Sequence, residues 1–160
     1  MKTKTTRKRL IAGLVTACAL APPGTLAQTS VHRMIVWRDP GCGCCAAWAA
    51  VMQRSGRFVA ALHSSPDMTA VKQRLRVPAA LASCHTAEVA GLVIEGHVPA
   101  EDVLRLIAER PHGVLGLAVP GMPLGSPGME AQGGRRDAFT VMAFRRDGAA
   151  SVFARYPARH

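Results

Sequence analysis

The sequence has few aromatic residues, few acidic residues and no apolar run long enough to span a membrane. Aromatic side chains make up only 4% of the 160 residues, and 20 Lys and Arg outnumber 10 Asp and Glu. The apolar stretch at residues 10–20 is shorter than the ~20 residues that a bilayer requires. Without aromatics among the basic residues there is no stripe typical of nucleic-acid binders. We therefore expect neither a membrane span nor a nucleic-acid partner.

A basic N-terminus followed by this short apolar stretch is typical of a secretory signal peptide. Cleavage after Ala27, where small-residue cleavage chemistry is available, removes 27 of the 160 residues and leaves 133, which suits one domain. It also removes five of the 20 basic residues and no acid, so the net charge falls from +10 to +5. A lipid-attachment box ending at Cys18 is an alternative. We expect a signal peptide over residues 1–27 and a single exported domain over residues 28–160.

Apolar patterns and turn signals predict an alternation of strands and helices. Strands are expected at residues 34–37, 58–62, 86–89, 92–95, 139–144 and 151–156. Helices are expected after the turn at residues 39–41, after a Ser65-Pro66-Asp67 cap, and from Pro99 to Pro111. The order β-α-β-α-β-β-α predicts an α/β, thioredoxin-like domain with a central mixed sheet flanked by helices.

Two features extend this predicted domain beyond its third helix. Residues 113–134 hold seven Gly and three Pro, together with two Met, and predict one long functional loop. The last two strands, joined through Asp147-Gly148, predict an extra C-terminal hairpin.

Three cysteines cluster at Cys42-Gly43-Cys44-Cys45, between a predicted strand end and a predicted helix start. Unpaired N–H groups and the helix dipole favour thiolate over thiol there. Disulfides among such close cysteines would close almost no chain and would stabilise little. Thiolates are soft ligands that suit Cu(I) or Zn and can bridge metal ions. The cluster thus predicts thiol chemistry rather than inert buried cysteines, without deciding which chemistry.

A second group of donors enters the predicted third strand at Cys84-His85-Thr86. In a thioredoxin-type fold this segment lies against the cysteine turn, so we expect Cys84 and His85 to face it. Thioredoxins have a cis-proline at the place where this chain has Thr86. A substrate-docking feature is therefore missing, and two metal-type ligands stand beside its place.

Three further residues are candidates for the same end of the sheet. His97 follows a strand that returns antiparallel to its neighbour, and we expect it to hold a ligand or the loop in position. Met122 and Met129 lie in the Gly/Pro-rich segment, off any helical face. For both methionines, thioether donation to Cu(I) and core filling are equally good interpretations.

Four ordered motifs together carry a family resemblance that covers about residues 34–156. They are Asp39-Pro40-Gly41-Cys42-Gly43-Cys44-Cys45, Leu81-Ala82-Ser83-Cys84-His85-Thr86, Glu95-Gly96-His97-Val98-Pro99-Ala100, and Gly116-Leu117-Ala118-Val119-Pro120-Gly121-Met122-Pro123 through Gly128-Met129. This combination closely resembles the CopG-like periplasmic copper-resistance proteins. The resemblance implies a thioredoxin-like fold, a periplasmic location, and copper held as a thiolate-bridged cluster by Cys42, Cys44, Cys45 and Cys84 with His and Met support. It leaves open whether copper is only sequestered or also changes its oxidation state.

The sequence thus predicts an exported protein that binds Cu(I) or Cu(II) in copper resistance, with other periplasmic copper-handling proteins as further partners. The predicted metal ligands are Cys42, Cys44, Cys45, Cys84, His85, Met122 and Met129, with His97 in support. One alternative is a periplasmic thiol-disulfide oxidoreductase that uses Cys42 and Cys45, which have C-x-x-C spacing. Another is a structural zinc module with Cys₄ or Cys₃His ligands.

Overall fold

The computed structural model describes residues 30–160. The predicted signal peptide, its cleavage after Ala27 and the Cys18 alternative all lie outside the described residues. Within the described part, no helix is both long and apolar enough to cross a membrane.

Seven strands and three helices follow one another along the described chain. They are β1 (His32–Arg38), α1 (Gly43–Arg54), β2 (Phe58–Ser64), α2 (Met68–Arg74), β3 (His85–Val89), β4 (Leu92–Glu95), α3 (Ala100–Glu109), β5 (Val114–Ala118), β6 (Phe139–Arg145) and β7 (Ala150–Tyr156). Two short 3-10 segments lie at Ala79–Leu81 and Gln132–Gly134.

All seven strands form one mixed sheet in the order β2-β1-β3-β4-β5-β6-β7. The β1–β2 pair is parallel, whereas β1–β3 and β3–β4 are antiparallel. This is the thioredoxin-type arrangement that the sequence predicts. Strand β5 extends it by pairing in parallel with β4, and the predicted C-terminal hairpin, β6–β7, adds the last two strands.

Apolar side chains pack on both faces of the sheet and hold the helices against it. On one face Trp48 and Met52 of α1 and Leu106 of α3 are fully buried against the strands. Full burial of each such side chain contributes roughly 1.5–3 kcal/mol. On the other face Leu81 packs with Phe144 in a second, smaller cluster. The sheet is therefore covered by helices and connecting segments on two sides.

The strand register brings four strand ends to one edge of the sheet. The last residue of β1, Arg38, pairs with the first residue of β3, His85. The last residue of β4, Glu95, lies between Thr86 of β3 and Ala118, the last residue of β5. The cysteine turn before α1 and the connections that leave β4 and β5 therefore start from the same edge.

The prediction of one loop over residues 113–134 is wrong in its first part, because β5 occupies Val114–Ala118. The strand is not predicted from the sequence because it contains Gly116, and glycine normally weakens strands. In the structure a side chain at Gly116 would collide with the backbone of Val93 in β4, and the β5–β6 register shifts at this point. The glycine therefore permits a close approach of two strands, and the irregular segment begins only after Ala118.

The predicted cap of the second helix is also off by two residues. Asp67, not Ser65, precedes the first helical turn, and its Oδ1 accepts a hydrogen bond of 2.9 Å from Ala70 N. The hydroxyl of Ser65 instead accepts a hydrogen bond of 3.2 Å from Asp67 N, which stabilises the turn before the cap. Both residues are N-cap types, and aspartate in the cap position satisfies a free N–H of the first turn.

Candidate metal centre

The cysteine motif begins in a tight turn between β1 and α1. Asp39 stabilises the turn through two hydrogen bonds. Its Oδ1 accepts one of 2.8 Å from Gly41 N, and its carbonyl oxygen accepts one of 3.1 Å from Cys42 N. Arg38 donates to the carbonyl of Cys42 at 3.2 Å. Cys42 is the N-cap of α1, so the motif occupies a helix start, where N–H groups and the helix dipole favour a thiolate.

We call Cys42, Cys44 and Cys45 the thiol turn. Cys42 and Cys45 form a disulfide with a Cα–Cα distance of 5.5 Å, while Cys44 and Cys84 are free thiols. Cys45 is buried, whereas Cys42 and Cys44 are half-buried. The Cys44 sulfur lies 3.5 Å from the Cys42 sulfur, so all three sulfurs of the turn are close together.

Cys84, 40 residues from Cys44 in the chain, completes a four-sulfur cluster. Its Sγ lies 3.8 Å from Cys44 Sγ. The thioether sulfur of Met122 lies 3.9 Å from Cys44 Sγ on the exposed side of the cluster. The start of β3 and the segment after β5 thus converge on the thiol turn.

We call Cys84, His85 and His97 the histidine group. Cys84 Sγ is 3.3 Å from His85 Nδ1 and 3.1 Å from His97 Nε2. Both histidines are fully buried, and their rings meet edge to face with centroids 5.2 Å apart. The His85 ring also packs on Trp48 of α1, at a centroid distance of 4.5 Å.

Hydrogen bonds orient His97 but leave one nitrogen of His85 free. His97 Nδ1 bonds the carbonyl of Pro127 at 2.8 Å, which directs Nε2 towards Cys84. His85 Nε2 is buried and has no hydrogen-bond partner among residues 30–160. A buried nitrogen without a partner is costly in a metal-free protein. The bond to Pro127 and the contact of His85 Nδ1 with Cys84 leave His97 Nε2 and His85 Nδ1 as the two ring nitrogens that face the shared thiol.

Burial keeps all three members of the histidine group uncharged at neutral pH. Burial, together with the neighbouring Cys44, raises the pKa of the Cys84 thiol to about 12. Burial lowers the pKa of His85 well below its ordinary value, and repulsion from Lys72, and from His97 whenever that ring is protonated, acts in the same direction. Burial also lowers the pKa of His97, although its bond to Pro127 opposes the shift. Neutral imidazole is the form that binds metals.

Two overlapping sets of donors have the spacing of a metal site, with candidate ligand atoms within 4.8 Å of one another. One is Cys42, Cys44, Cys45 and Cys84, and the other is Cys84, His85 and His97. Cys84 belongs to both. A donor set of thiolates, imidazoles and a nearby thioether suits soft or borderline ions such as Cu(I) and Zn(II).

The two loop methionines have different surroundings. Met122 is 53% exposed and touches Cys44 through its sulfur. Met129 is half-buried and held through its backbone, which accepts Gly125 N at 2.6 Å and donates to Ser126 O at 2.8 Å. The structure thus brings Met122 to the cluster, while a ligand role for Met129 stays a prediction.

Sequence reasoning missed one residue of this region, Glu95. It is a carboxylate at the end of the otherwise apolar strand Leu92–Glu95, and it is fully buried. A charged residue ending an apolar strand was a readable signal, because buried carboxylates require partners. Its partners, Lys72, Ser83 and Thr86, come from separate segments that no local pattern connects.

Fold and site together define a thioredoxin-like protein with a Cys/His/Met cluster able to hold a metal ion. A solved structure of the copper resistance protein CopG, form 1, is 46% identical, with a TM-score of 0.72 over 78% of this chain and 97% of that chain. Form 2 is 47% identical, with a TM-score of 0.74 over 80% of this chain and 100% of that chain. The chain belongs to the CopG copper-resistance protein family.

Two other comparisons add less to this assignment. Residues 81–129 match the sequence family described as a protein of unknown function, DUF411. This range contains Cys84, both buried histidines and both loop methionines, but not the thiol turn. No curated protein matches the chain.

Proposed function

We propose that the chain is an exported copper-binding protein of copper resistance, which holds Cu(I) or Cu(II) as a thiolate-bridged cluster. The observation that carries the proposal is the distance of 3.8 Å between the sulfurs of Cys44 and Cys84, which come from different elements. Export rests on the signal-type sequence of residues 1–27.

The chemistry of the donors supports copper. The ligands in this proposal are Cys42, Cys44, Cys45, Cys84, His85, Met122 and Met129, with His97 as support or as an additional ligand. Thiolates and thioethers are soft and prefer Cu(I), and a thiolate between two ions can bridge them. The chain's relatives of known structure are copper-resistance proteins.

The redox state of the thiol turn decides how many sulfurs are available. With Cys42 and Cys45 joined, Cys44 and Cys84 are the free thiols among residues 30–160. Reduction of the disulfide by two electrons and two protons restores two thiols, which lose their protons when they bind a metal. In this proposal the reduced protein is the copper-binding form, and redox cycling of copper through the thiols is an additional activity.

Copper titration of the reduced, metal-free full chain against competing chelators tests the proposal. We expect copper to bind several thiols per chain. We also expect a dissociation constant for Cu(I) well below the micromolar range. Zn(II) serves as the comparison ion, because a copper site rich in soft donors should prefer Cu(I). Micromolar or weaker binding of Cu(I) would refute the proposal.

The disulfide favours a second candidate function, that of a thiol-disulfide oxidoreductase using Cys42 and Cys45. The extra thiol at Cys44 and the threonine in place of proline at the start of β3 count against it. Cys44→Ser separates the two functions. It should sharply lower copper stoichiometry if Cys44 bridges ions, whereas an oxidoreductase should keep its insulin-reducing activity without any metal.

A further inference from the structure

Glu95 is a fully buried carboxylate that accepts hydrogen bonds from three groups. Its Oε1 accepts Lys72 Nζ at 2.5 Å and the backbone N–H of Ser83 at 2.5 Å. Its Oε2 accepts the hydroxyl of Thr86 at 2.6 Å. Buried carboxylates are retained only where such partners compensate for the loss of water.

Two of these partners lie on either side of the Cys84-His85 pair. Ser83 precedes the pair and Thr86 follows it, so a single side chain fixes both ends of a four-residue segment. The carbonyl of His85 is held by Gly96 N at 2.9 Å. The segment is thus attached to the end of β4 by the side chain of Glu95 and by the backbone of the residue after it.

The same attachment extends to the loop that carries Met122. The hydroxyl of Ser83 donates to the carbonyl of Gly121, next to Met122. Ser83 packs so closely over Gly96 that a Cβ on Gly96 would overlap its side chain. The position of Ser83 therefore influences Cys84 on one side and the methionine loop on the other.

We propose that Glu95 is a positioning residue of the metal centre: by holding Ser83 and Thr86, it places Cys84 against the thiol turn and keeps the Met122 loop in reach. The proposal rests on the proposed copper-binding function for its consequence, although its geometric part stands without a metal. Lys72 supplies the charge that the buried carboxylate needs, with a side chain only 15% exposed.

A matched pair of variants isolates the acceptor role of Glu95 from its charge. In Lys72→Met/Glu95→Gln the charges are removed together, and the amide oxygen still accepts Ser83 N while its NH₂ can donate to Thr86. In Lys72→Met/Glu95→Leu the shape is similar but both acceptors are lost. The two variants therefore differ in the hydrogen bonds at Ser83 and Thr86 and share the loss of the ion pair.

Two measurements are made on the reduced full chain. The first is amide hydrogen exchange of Ser83 in the metal-free protein, with strand amides of β3 and β4 as the reference for global stability. The second is Cu(I) affinity by chelator competition. For Lys72→Met/Glu95→Leu we expect faster exchange at Ser83 and an affinity loss of about tenfold or more, because a partly buried N–H loses its acceptor. Lys72→Met/Glu95→Gln should remain within about threefold of the unmodified chain in both measurements.

The outcomes separate this proposal from the proposed function. If the Leu variant keeps Ser83 protected, or loses protection without losing copper affinity, Glu95 does not position the centre. If the unmodified chain fails to bind copper, the proposed function falls, and the exchange data alone decide whether Glu95 holds Ser83. Should the Leu variant not fold, Glu95→Asp replaces it: this carboxylate keeps its charge but cannot reach both partners, and unchanged exchange and affinity would again overturn the proposal.

Discussion

The thiol turn and the histidine group, which meet at Cys84, are held by the fold in different ways. The thiol turn lies at a helix start, is shaped by backbone turns, and contains a disulfide between Cys42 and Cys45. The histidine group lies where the central strands β3 and β4 begin and end. There His85 packs on Trp48, and His97 is fixed by Pro127. Cys42 and Cys44 are half-buried, whereas both histidines are fully buried.

This difference assigns different tasks to the two groups. The thiol turn is the part whose covalent state changes, since its sulfurs can exist as thiols, as a disulfide or as metal ligands. The histidine group is pre-organised by packing and hydrogen bonds, so little conformational freedom is lost when it binds an ion. We expect the thiol turn to determine the redox behaviour of the site and the histidine group to determine the geometry of metal binding.

Cys84→Ser should cause the greatest loss of Cu(I) affinity, because Cys84 is the one residue among 30–160 that belongs to both donor sets. Loss of an outer partner of a metal ligand costs roughly 10–100-fold in affinity, and loss of a shared ligand should exceed that range. Chelator competition for Cu(I), together with copper analysis of the purified protein, measures the effect. The control is Ser151→Ala, at an exposed position of β7 away from the cluster. An affinity equal to that of the control would show that the two groups act separately.

His97→Leu tests whether the histidine group acts as ligand and support or only as packing. We expect a loss of about 10–100-fold in Cu(I) affinity, since Nε2 no longer faces Cys84 and the carbonyl of Pro127 loses its donor. His112→Leu is the control, because His112 is exposed and lies at the far end of β5. Retained affinity with a lowered melting temperature would leave His97 a purely structural role.

The pH dependence of copper binding should report the histidine group through Cys84. Its pKa is raised to about 12 by burial, so the metal-free thiol is protonated throughout the neutral range. Copper must displace this proton, and each proton released makes the affinity rise about tenfold per pH unit. The lowered pKa values of His85 and His97 add no such competition above neutrality. Isothermal titration in buffers of different ionisation enthalpy counts the protons. Because a thiol with the ordinary pKa of 9.0 is already ionised above that pH, the rise in affinity should continue above pH 9, and a rise that levels off there would contradict the shift.

Much of the fold and the site's first members could be predicted because the signals are local. Most strands and the starts of the first and third helices each follow from a few consecutive residues, and the C-terminal hairpin follows from Asp147-Gly148. The convergence of Cys84 on the thiol turn required one more step, the strand order of a thioredoxin-type sheet. The distance of 3.8 Å between the sulfurs of Cys44 and Cys84 agrees with that step.

The parts that could not be predicted depend on contacts between distant segments. Strand β5 was not predicted because Gly116 is unfavourable in a strand. The reason for a glycine there becomes clear only from the structure, in which the backbone of Val93 lies against it. The role of Glu95 depends on Lys72 and Ser83 arriving from other elements. Local patterns carry no information about such partners, which is why Glu95 was missed while His97 and the sulfurs of the site were predicted.

The two loop methionines should contribute least to copper affinity, and together they test whether a thioether takes part on the exposed side of the cluster. Met122→Leu removes a thioether 3.9 Å from Cys44, whereas Met129→Leu changes a residue whose described contacts are those of its backbone. Leucine preserves most of the volume, so the difference between the variants isolates sulfur donation. We expect Met122→Leu to lower the affinity for Cu(I) by no more than about tenfold and the affinity for Zn(II) by less, because a thioether sulfur binds soft ions preferentially. Parallel chelator competitions with both ions measure this, and equal losses for the two ions would mean that the loop acts by packing alone.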